Sequence, residues 1–241
     1  MADWPELLLI NKPHGITSFD VIRRLRRIYS ETHNGAKAPK LGHAGTLDPL
    51  ATGLMLLGVG AGTKKLAELI KLDKEYVAEV RLGESRTTGD MEGEILDEYA
   101  VTDSVEQVRS QVKSALSRFV GTHTLPVSAY SAIKVDGVPM YKRARKAEIT
   151  NETIINIPMR QMTVYEVELL DMVVAEGRAV AIVRFKVASG TYIRSLAEEL
   201  GRNLGYPACL QNLHRTMVGE YHVEDASSLK NIKNQAQDTL D

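Results

Sequence analysis

An aspartate at position 48 stands in a short glycine-containing stretch, GHAGTLDP, at residues 42–49. Gly42 and Gly45 permit tight backbone turns or the close approach of a ligand, and Pro49 biases Asp48 away from helical dihedral angles. Catalytic groups are common on loops that neighbouring elements hold in this way. An aspartate before proline is also an ordinary turn residue that bonds to its own backbone. The local pattern alone therefore favours a turn and leaves catalysis open.

The spacing of other residues argues against two further kinds of chemistry. The glycine-rich stretch GVGAGTKK, residues 58–65, has neither G-x-x-x-x-G-K-[ST] nor G-x-G-x-x-G spacing, so a nucleotide site is a weak alternative. The six histidines form no i, i+4 pair and have no Cys-x-x-Cys partner, and we expect no metal site. Cys209 is the single cysteine, and the first residues lack a basic segment before their apolar run. We therefore expect a reducing, cytoplasmic location and, without an apolar stretch of about 20 residues, no membrane insertion.

Charge is distributed unevenly along the chain, although the formal net charge is only −1. Four arginines crowd residues 23–27 and four cations crowd residues 142–146, while the stretch from Asp90 to Glu106 contains seven acids and no base. Such segregation permits a basic face that binds nucleic acid. Runs of like charge are more often solvated helix faces, so these charges need supporting chemistry before they indicate a function.

Helical and extended patterns alternate on either side of the Asp48 loop. Thr17 or Ser18 can begin a helix, because apolar residues then recur at helical spacing. Residues 31–41 are predicted to form a loop, and the apolar run 54–59 has the length of a strand. Thr63 can begin a second helix that reaches about Lys71. From Tyr76 onward, alternation predicts a half-buried strand with its apolar residues on one face, namely Tyr76, Ala78, Val80 and Leu82.

The second half of the chain contains a similar mixture of elements. Ser104 and Gln107 form a capping-box pair before a helix that stops by Gly121. Asp136-Gly137 predicts a hairpin turn, which a basic helix follows in YKRARKAE. Strands at about 163–172 and 179–188 flank Glu176-Gly177 and should pair antiparallel, and a helix near Arg194 ends close to Gly205. We expect one α+β domain with a mixed, mainly antiparallel central sheet flanked by helices and loops.

Five stretches of the sequence resemble, in order, the motifs of one enzyme family. They are NKPHGITS, GHAGTLDPLATGLMLLGVGAGTKKL, KEYVAEVRLG, PVSAYSAIKVDGVPMYKRAR and SGTYIRSLAEELG. Together they resemble the TruB family of tRNA pseudouridine synthases, and the likeness continues through LHRTMVGEYHVEDASSL. It extends from about Leu7 to Leu229, a length over which chance similarity is not credible. The resemblance implies the pseudouridine synthase fold.

The same resemblance implies isomerisation of uridine to pseudouridine without a cofactor or a metal. The aspartate of the family's GTLDP loop is its nucleophile and corresponds to Asp48, since a carboxylate adduct divides a difficult exchange of bonds into easier steps. Attack on the base and attack on the sugar both remain open. By resemblance, Arg194 orients the ionised carboxylate and Tyr76 faces the target base as a further catalytic group. On local pattern alone, Arg194 is a surface residue at a helix start and Tyr76 is a core residue of a strand.

A uridine in folded RNA must leave its stack to reach such a site. His43, Tyr192 and Leu213 match positions that contact substrate in the family, and Tyr76 belongs to the same set. The alternatives are a loop histidine bonded to backbone for His43 and core residues for Tyr192 and Leu213. Lys12 lies in a matching motif and is assigned to substrate binding, although a motif lysine can as easily pair with a neighbouring carboxylate and serve the structure.

By resemblance, the substrate is the uridine at position 55 in the T-loop of tRNA. Residues 1–229 are assigned to the catalytic domain and 230–241 to a C-terminal tail, without the PUA-like RNA-binding domain that many bacterial members carry there. We expect contacts mainly with the T-arm of tRNA, no obligatory protein partner and a monomer. His214, where arginine is common in the family, puts a local RNA contact in doubt.

Two other functions compete with this one. An RNA-binding or RNA-folding module without catalysis would use the same basic surface and the same pocket, and loss of activity on changing Asp48 discriminates an enzyme from it. Guide-dependent modification of ribosomal RNA, as in a related branch, would require partners, so activity on bare tRNA argues against it.

Overall fold

The computed structural model describes residues 4–131, 133–150, 157–175 and 177–238. Its helices are α1 (Ser18–Thr32), α2 (Leu66–Leu69), α3 (Val105–Leu116), α4 (Met140–Thr150), α5 (Ile193–Leu204) and α6 (Leu229–Asp238). Its strands are β1 (Leu7–Lys12), β2 (Leu41–His43), β3 (Thr52–Val59), β4 (Lys74–Leu82), β5 (Glu84–Arg86), β6 (Ile95–Glu98), β7 (Gly121–Pro126), β8 (Lys134–Val135), β9 (Val138–Pro139), β10 (Met159–Ala175), β11 (Arg178–Val187), β12 (Ala208–Val218) and β13 (Tyr221–His222). Short 3-10 helices cover Gly60–Lys65 and Val223–Asp225.

The chain forms two compact units, the first from residues 1–77 and 213–241 and the second from residues 78–212. Strands β4 and β12 each contribute residues to both units. The assignment of residues 1–229 to one catalytic domain divides the chain differently and stays a prediction. Its limit, Leu229, is the first residue of α6, which packs against α1 and β1 within the first unit. Residues 239–241 of the predicted tail lie outside the described residues.

In the first unit the strand order is β1-β3-β12-β4. β1 pairs antiparallel with β3 and ends at Lys12↔Gly53, whereas β12 pairs with β3 in parallel and sets Arg215 opposite the same Gly53. β2 also pairs with β3, antiparallel, so that His43 is opposite Leu57. The chain between β2 and β3 contains Asp48. The loop is therefore bounded by two paired strands, β2 and β3. Lys12 and Arg215 lie on the two strands that flank the start of β3.

Helix α1 begins where the sequence predicts it to begin. The Thr17 hydroxyl accepts a hydrogen bond from the backbone N–H of Asp20 at 3.0 Å, and the Asp20 carboxylate accepts one from the N–H of Thr17 at 2.9 Å. This reciprocal capping box satisfies backbone donors that would otherwise lack partners at the start of the helix. One face of α1 is buried and consists of Ser18, Val21, Ile22, Leu25, Ile28 and Thr32. The helical spacing was predicted from Val21, Ile22, Leu25, Ile28 and Tyr29; the first four are buried as expected, and Tyr29 is half-buried.

The prediction of a helix that starts at Thr63 is wrong. The chain instead forms a 3-10 helix over Gly60–Lys65, and α2 covers only Leu66–Leu69. Thr63 lies inside the 3-10 helix, where its hydroxyl donates to the carbonyl of Gly60 at 2.8 Å. The tighter turn arises because the segment packs directly on the chain before β1: a Cβ at Gly62 would lie 1.9 Å from the carbonyl oxygen of Glu6.

In the second unit the strand order is β4-β11-β10-β7. β10 and β11 pair antiparallel from Val164↔Val187 to Ala175↔Arg178, so the two predicted strands are confirmed. β10 extends beyond the predicted range at both ends. Glu176 of the predicted turn lies outside the described residues. Helix α3 packs against β10 and α5. These contacts cover the sheet of this unit with helices.

The predicted helix cap at Ser104, the helix end near Gly205 and the turn at Asp136-Gly137 are confirmed. Ser104 accepts from the N–H of Gln107 at 3.3 Å at the start of α3, and α5 ends at Gly205, whose φ is 77°. Asp136 and Gly137 both have positive φ, 51° and 78°, as a two-residue hairpin turn between β8 and β9 requires. The predicted basic helix follows as α4.

The predicted fold class is confirmed, because the strand pairs are mainly antiparallel, β3 and β12 are parallel, and helices pack on the sheet. Tyr76, Ala78, Val80 and Leu82 are all buried on one face of β4, as the alternation predicts. In the described ranges, no helix combines the length and the apolar character needed to cross a membrane.

Candidate active site

The Asp48 loop is held from one side by a buried lysine. Lys12 has no solvent-exposed surface, and its ammonium donates to the carbonyl oxygens of Pro13 at 3.0 Å, Pro49 at 3.2 Å and Ala51 at 2.6 Å. An ammonium has three N–H donors and can therefore bind all three carbonyl oxygens at once. The residues directly after Asp48 are therefore fixed to the end of β1. These contacts give Lys12 a structural role, and a direct contact between Lys12 and substrate stays a prediction.

The residue before Asp48 is held by the start of helix α1. The Ser18 hydroxyl donates to the carbonyl of Leu47 at 2.9 Å and accepts from the N–H of Leu47 at 2.8 Å. Ser18 and Leu47 are both buried. The carbonyl of Asp48 then accepts from the N–H of Ala51 at 3.1 Å, which closes a tight turn. Asp48 itself is half-buried between these anchored neighbours.

A buried arginine of β12 holds the loop from the other side. The Arg215 side chain is 1% exposed, and its guanidinium donates to the carbonyls of Leu54 at 2.7 Å and Gly45 at 3.3 Å. Gly53 has a φ of 102°, and a Cβ at that position would lie 2.3 Å from the carbonyl oxygen of Arg215. Only glycine fits here, because the conformation is left-handed and the backbones of β3 and β12 approach closely. Arg215 was not among the predicted site residues.

Two predicted substrate-contacting residues lie on the strands beside this loop. Tyr76 on β4 and Leu213 on β12 are each 8% exposed. The hydroxyl of Thr52 lies 3.4 Å from the carbonyl of Leu213 and 2.8 Å from Nδ1 of His214, which joins the start of β3 to β12. Asp48, Tyr76 and Leu213 therefore all belong to the first unit, where Thr52 and Arg215 tie the Asp48 loop to the strand that carries Leu213.

His43 ends β2 and stands at the entrance to the loop. Burial lowers the pKa of His43, and the Arg215 guanidinium lowers it further, which favours the neutral form of the imidazole. A neutral imidazole is suited to contact a nucleobase rather than a phosphate. Burial and the same guanidinium also lower the pKa of Lys74 to about 8, and the Lys74 ammonium donates to the carbonyls of Ile70 and Leu72, both at 2.6 Å.

Arg194, the predicted cation, belongs to the second unit and is the second residue of α5. It is buried, and its guanidinium donates to the carbonyl of Thr88 at 2.9 Å, the hydroxyl of Ser128 at 3.0 Å and the carbonyl of Tyr130 at 3.4 Å. The expected surface arginine at a helix start is therefore excluded. The planar guanidinium is fixed in direction by several acceptors at once.

A buried carboxylate accompanies Arg194 in the second unit. Asp90 is 2% exposed, and its Oδ2 lies 3.7 Å from a guanidinium nitrogen of Arg194. Oδ1 of Asp90 accepts from the hydroxyl of Thr88 at 2.5 Å and from the N–H of Glu92 at 3.1 Å. Gly89, the residue before Asp90, packs closely against α5: a Cβ at this position would lie 2.6 Å from the carboxylate of Glu198, a residue of that helix. The arginine is thus held by a charge and by fixed backbone acceptors.

Tyr192, the last predicted substrate residue, is the half-buried N-cap of α5. It therefore precedes Arg194 by two positions at one helix end. The relation of Arg194 and Tyr192 to the Asp48 loop stays a prediction. Within the described ranges, no cluster of three or more His, Cys, Asp or Glu side chains is arranged to hold a metal ion.

Four residues of these two networks were missed from sequence. Ser18 was considered only as a helix cap. Arg215 and Ser128 lie in stretches that resemble the family motifs, but neither their residue types nor their spacing indicated a role. Asp90 was counted among the acids of a charged run. Their partners lie up to 170 positions away along the chain, which a local pattern does not reveal.

Comparison with protein families supports the motif assignments. Residues 31–193 match the family model described as TruB family pseudouridylate synthase, N-terminal domain. The chain is 38% identical over 229 residues to tRNA pseudouridine synthase B of Streptomyces avermitilis, covering 94% of this chain and 72% of that protein. It is 41% identical over 227 residues to the protein of the same name from Leifsonia xyli subsp. xyli, covering 94% and 71%. The corresponding protein of Cupriavidus metallidurans is 40% identical over 232 residues, with 96% and 68% covered.

Comparison with solved structures supports the fold. A chain from an H/ACA ribonucleoprotein bound to a substrate RNA containing 2′-deoxyuridine superposes with a TM-score of 0.64 at 24% identity, covering 95% of this chain and 52% of that one. A chain of an archaeal box H/ACA complex gives 0.64 at 23% identity, covering 96% and 53%. This protein spans about half the length of those chains. At this identity the likeness concerns the fold alone.

Proposed function

Because this chain belongs to the TruB family of pseudouridylate synthases, we propose that it isomerises the uridine at position 55 in the T-loop of tRNA to pseudouridine. In this proposal the target nucleotide flips out of its stack, and Asp48 attacks it as the nucleophile. Family membership makes the chain an isomerase. The curated relatives are named tRNA pseudouridine synthase B, which supports tRNA as the substrate.

The reaction requires no oxidant, reductant or group donor. The bond between N1 of uracil and C1′ of the sugar breaks, the ring turns, and a bond forms between C5 and C1′. C5 then loses its proton and N1 gains one, so the composition of the nucleoside is unchanged. A carboxylate adduct, on either the base or the sugar, holds the intermediate while the ring turns. The proposal accordingly includes no cofactor or metal.

The observation that carries the proposal is the anchoring of Asp48 between fixed neighbours. Ser18 binds both backbone groups of Leu47, and Lys12 binds the carbonyl of Pro49. A nucleophile held in this way loses little conformational freedom on reaching the transition state, which lowers the barrier. Turn residues need no such support, so the anchoring favours catalysis over an ordinary turn.

The remaining residues are assigned to supporting roles. Tyr76 contacts the flipped base and takes part in proton transfer, and Arg194 keeps the Asp48 carboxylate ionised and oriented. His43 fills the space that the base vacates, which suits its lowered pKa and neutral ring. Leu213 and Tyr192 pack against the substrate. The T-arm of tRNA is the proposed recognition element, and no protein partner is required.

The experiment is to incubate the purified protein alone with an unmodified tRNA transcript and to map pseudouridine by position. We expect modification at position 55 by the wild type, none by Asp48→Asn, and tRNA binding by both. Asp225→Asn, which changes an exposed aspartate of the same unit, is the matched control and should retain activity. Equal activity of Asp48→Asn would exclude Asp48 as nucleophile, and RNA binding without any product would favour a non-catalytic RNA-binding module.

A further inference from the structure

Helix α1 presents four exposed arginines opposite its buried face. Arg23, Arg24, Arg26 and Arg27 are all exposed, and with the exposed Phe19 they are called here the arginine face. The packing of Val21, Leu25 and Ile28 on the other side fixes the orientation of the helix. The site described above uses none of these five side chains. The basic run is therefore exposed on the surface, and the site around Asp48 does not account for it.

The arginine face keeps a positive charge after its ion pairs are counted. Asp20 pairs with Arg23, and Glu31 pairs with Arg27 at 3.4 Å while also accepting Lys233 at 3.2 Å. In the part of the chain that the structure describes, no carboxylate lies within 4 Å of the guanidinium of Arg24 or Arg26. Two acids thus face five cations, and the surface attracts anions.

The surface is concave on both sides of the helix. A hollow of about 440 Å³ is lined by Ile16, Asp20, Arg23, Arg24 and Arg27. A second hollow, of about 590 Å³, is lined by Arg26, Ser30 and residues 35–40, which include two further lysines. The first hollow therefore offers three guanidinium groups, and the second offers one guanidinium and two ammonium groups.

Helix α1, which carries the arginine face, is anchored to the Asp48 loop within the first unit. Ser18, the first residue of α1, is the residue that binds both backbone groups of Leu47. At a rise of about 1.5 Å per residue, the 15-residue helix extends roughly 22 Å away from that anchor. When the target uridine of an RNA lies at Asp48, the nucleotides that flank it are therefore within reach of the side chains of this helix.

The chemistry of the face fits a phosphate backbone better than a protein partner. Guanidinium groups bind phosphate with two parallel hydrogen bonds, whereas the core of a protein interface is more apolar than the surface around it and depleted in charged residues. Phe19 is the one large apolar side chain among the exposed residues of α1, with the guanidinium of Arg23 6.0 Å from its ring centre. An exposed ring beside an arginine also offers a stacking surface to an unpaired base.

We propose that the arginine face binds the phosphate backbone of the RNA substrate beside the target uridine. This inference rests on the proposed function and adds the surface that holds the substrate.

The test compares tRNA binding by the wild type and by the double variant Arg24→Gln with Arg27→Gln, over a range of KCl concentrations. Each lost phosphate contact lowers the slope of log K against log salt by about 0.7–0.9, so we expect a slope shallower by roughly 1.5 and a Kd raised roughly tenfold near 0.1 M salt. Circular dichroism checks that the variant is folded. We expect it to fold like the wild type, because both replaced side chains are exposed.

The matched control is Arg184→Gln with Lys186→Gln, which removes two cations that pair with Glu168 and Glu166 on the second unit. We expect its Kd to change less than twofold. An unchanged salt slope in the α1 variant, or an equal loss in the control, would overturn the proposal. Binding does not depend on the reaction: wild type that binds tRNA but forms no pseudouridine contradicts the proposed function alone, whereas wild type that does not bind tRNA contradicts both.

Discussion

The ammonium of Lys12 lies 2.6 Å from the carbonyl oxygen of Ala51, three residues beyond Asp48, although 39 positions separate the two along the chain. Lys12 ends β1, which is fixed in the sheet by its pairing with β3. The charge is buried without exposed surface, and backbone oxygens satisfy it. The contact therefore transfers the rigidity of a strand to the loop that carries the proposed nucleophile.

Replacing Lys12 by Met should weaken both folding and activity. The Met side chain keeps the apolar stem but leaves buried carbonyls unpaired, and we expect the free energy of unfolding to fall by about 1–3 kcal/mol. Displacement of Asp48 should lower the single-turnover rate roughly tenfold to hundredfold. Urea unfolding and a rapid-quench assay measure the two effects. Lys65→Met, which removes an exposed lysine paired with Glu6, is the control, and a similar loss in that variant would refute the role of Lys12.

Replacing Gly53 by Ala should unfold the first unit or destabilise it severely. The new Cβ would meet the Arg215 carbonyl at 2.3 Å in a backbone with a φ of 102°. Backbone strain of this kind costs about 1–3 kcal/mol, and the clash adds to it. Gly15→Ala is the control, because Gly15 also has a positive φ, 80°, but no atom within 4 Å of the added Cβ. Thermal unfolding should separate the two variants clearly, and equal midpoints would show that close packing at Gly53 is unimportant.

The stability of the protein should fall as the pH falls below about 6.5, in part because of His43. Burial, with a smaller effect of Arg215, lowers the pKa of His43 in the folded state from its ordinary value of 6.5. The unfolded chain therefore binds more protons below that pH, and the free energy of unfolding decreases toward the folded pKa. His214 has a lowered pKa as well and contributes in the same direction.

The measurement is urea unfolding at pH 7.5 and pH 5.0. His43→Asn should lose less stability over this interval than the wild type does, because one of the shifted groups is absent. His222→Asn, which changes an exposed histidine, should keep the wild-type dependence. A His43→Asn profile that parallels the wild type would mean that His43 does not titrate in this range.

Replacing Arg194 by Lys should reduce activity more than its conserved charge suggests. An ammonium lacks the planar fork that binds Thr88, Ser128 and Tyr130 together, so the cation loses its fixed direction. We expect the single-turnover rate to fall by roughly two orders of magnitude if this cation orients Asp48. Arg202→Lys, on the exposed side of the same helix, should behave like the wild type. A fully active Arg194→Lys variant would leave only a structural role for the guanidinium.

The amino-acid sequence by itself determined the elements that depend on neighbours a few residues apart. The caps at Thr17 and Ser104, the alternation from Tyr76 and the turn at Asp136-Gly137 were predictable because helix ends, strand faces and tight turns are set by short-range sterics and hydrogen bonds. The prediction failed at Thr63, where contact with Glu6 tightened the helix. The motif order was sufficient to identify the family.

Only the tertiary structure decided what the charged and hydroxyl side chains of the site do. Lys12, Ser18 and Arg215 each bind at least one backbone group that lies 29 to 170 positions away, and a local sequence pattern does not reveal contacts over such a separation. The same holds for Arg194. The local helix pattern predicts an exposed side chain at this position, whereas the folded protein buries it. Burial removes water from these groups and forces each donor to find an acceptor, and which acceptor is near depends on the packed chain rather than on sequence neighbours.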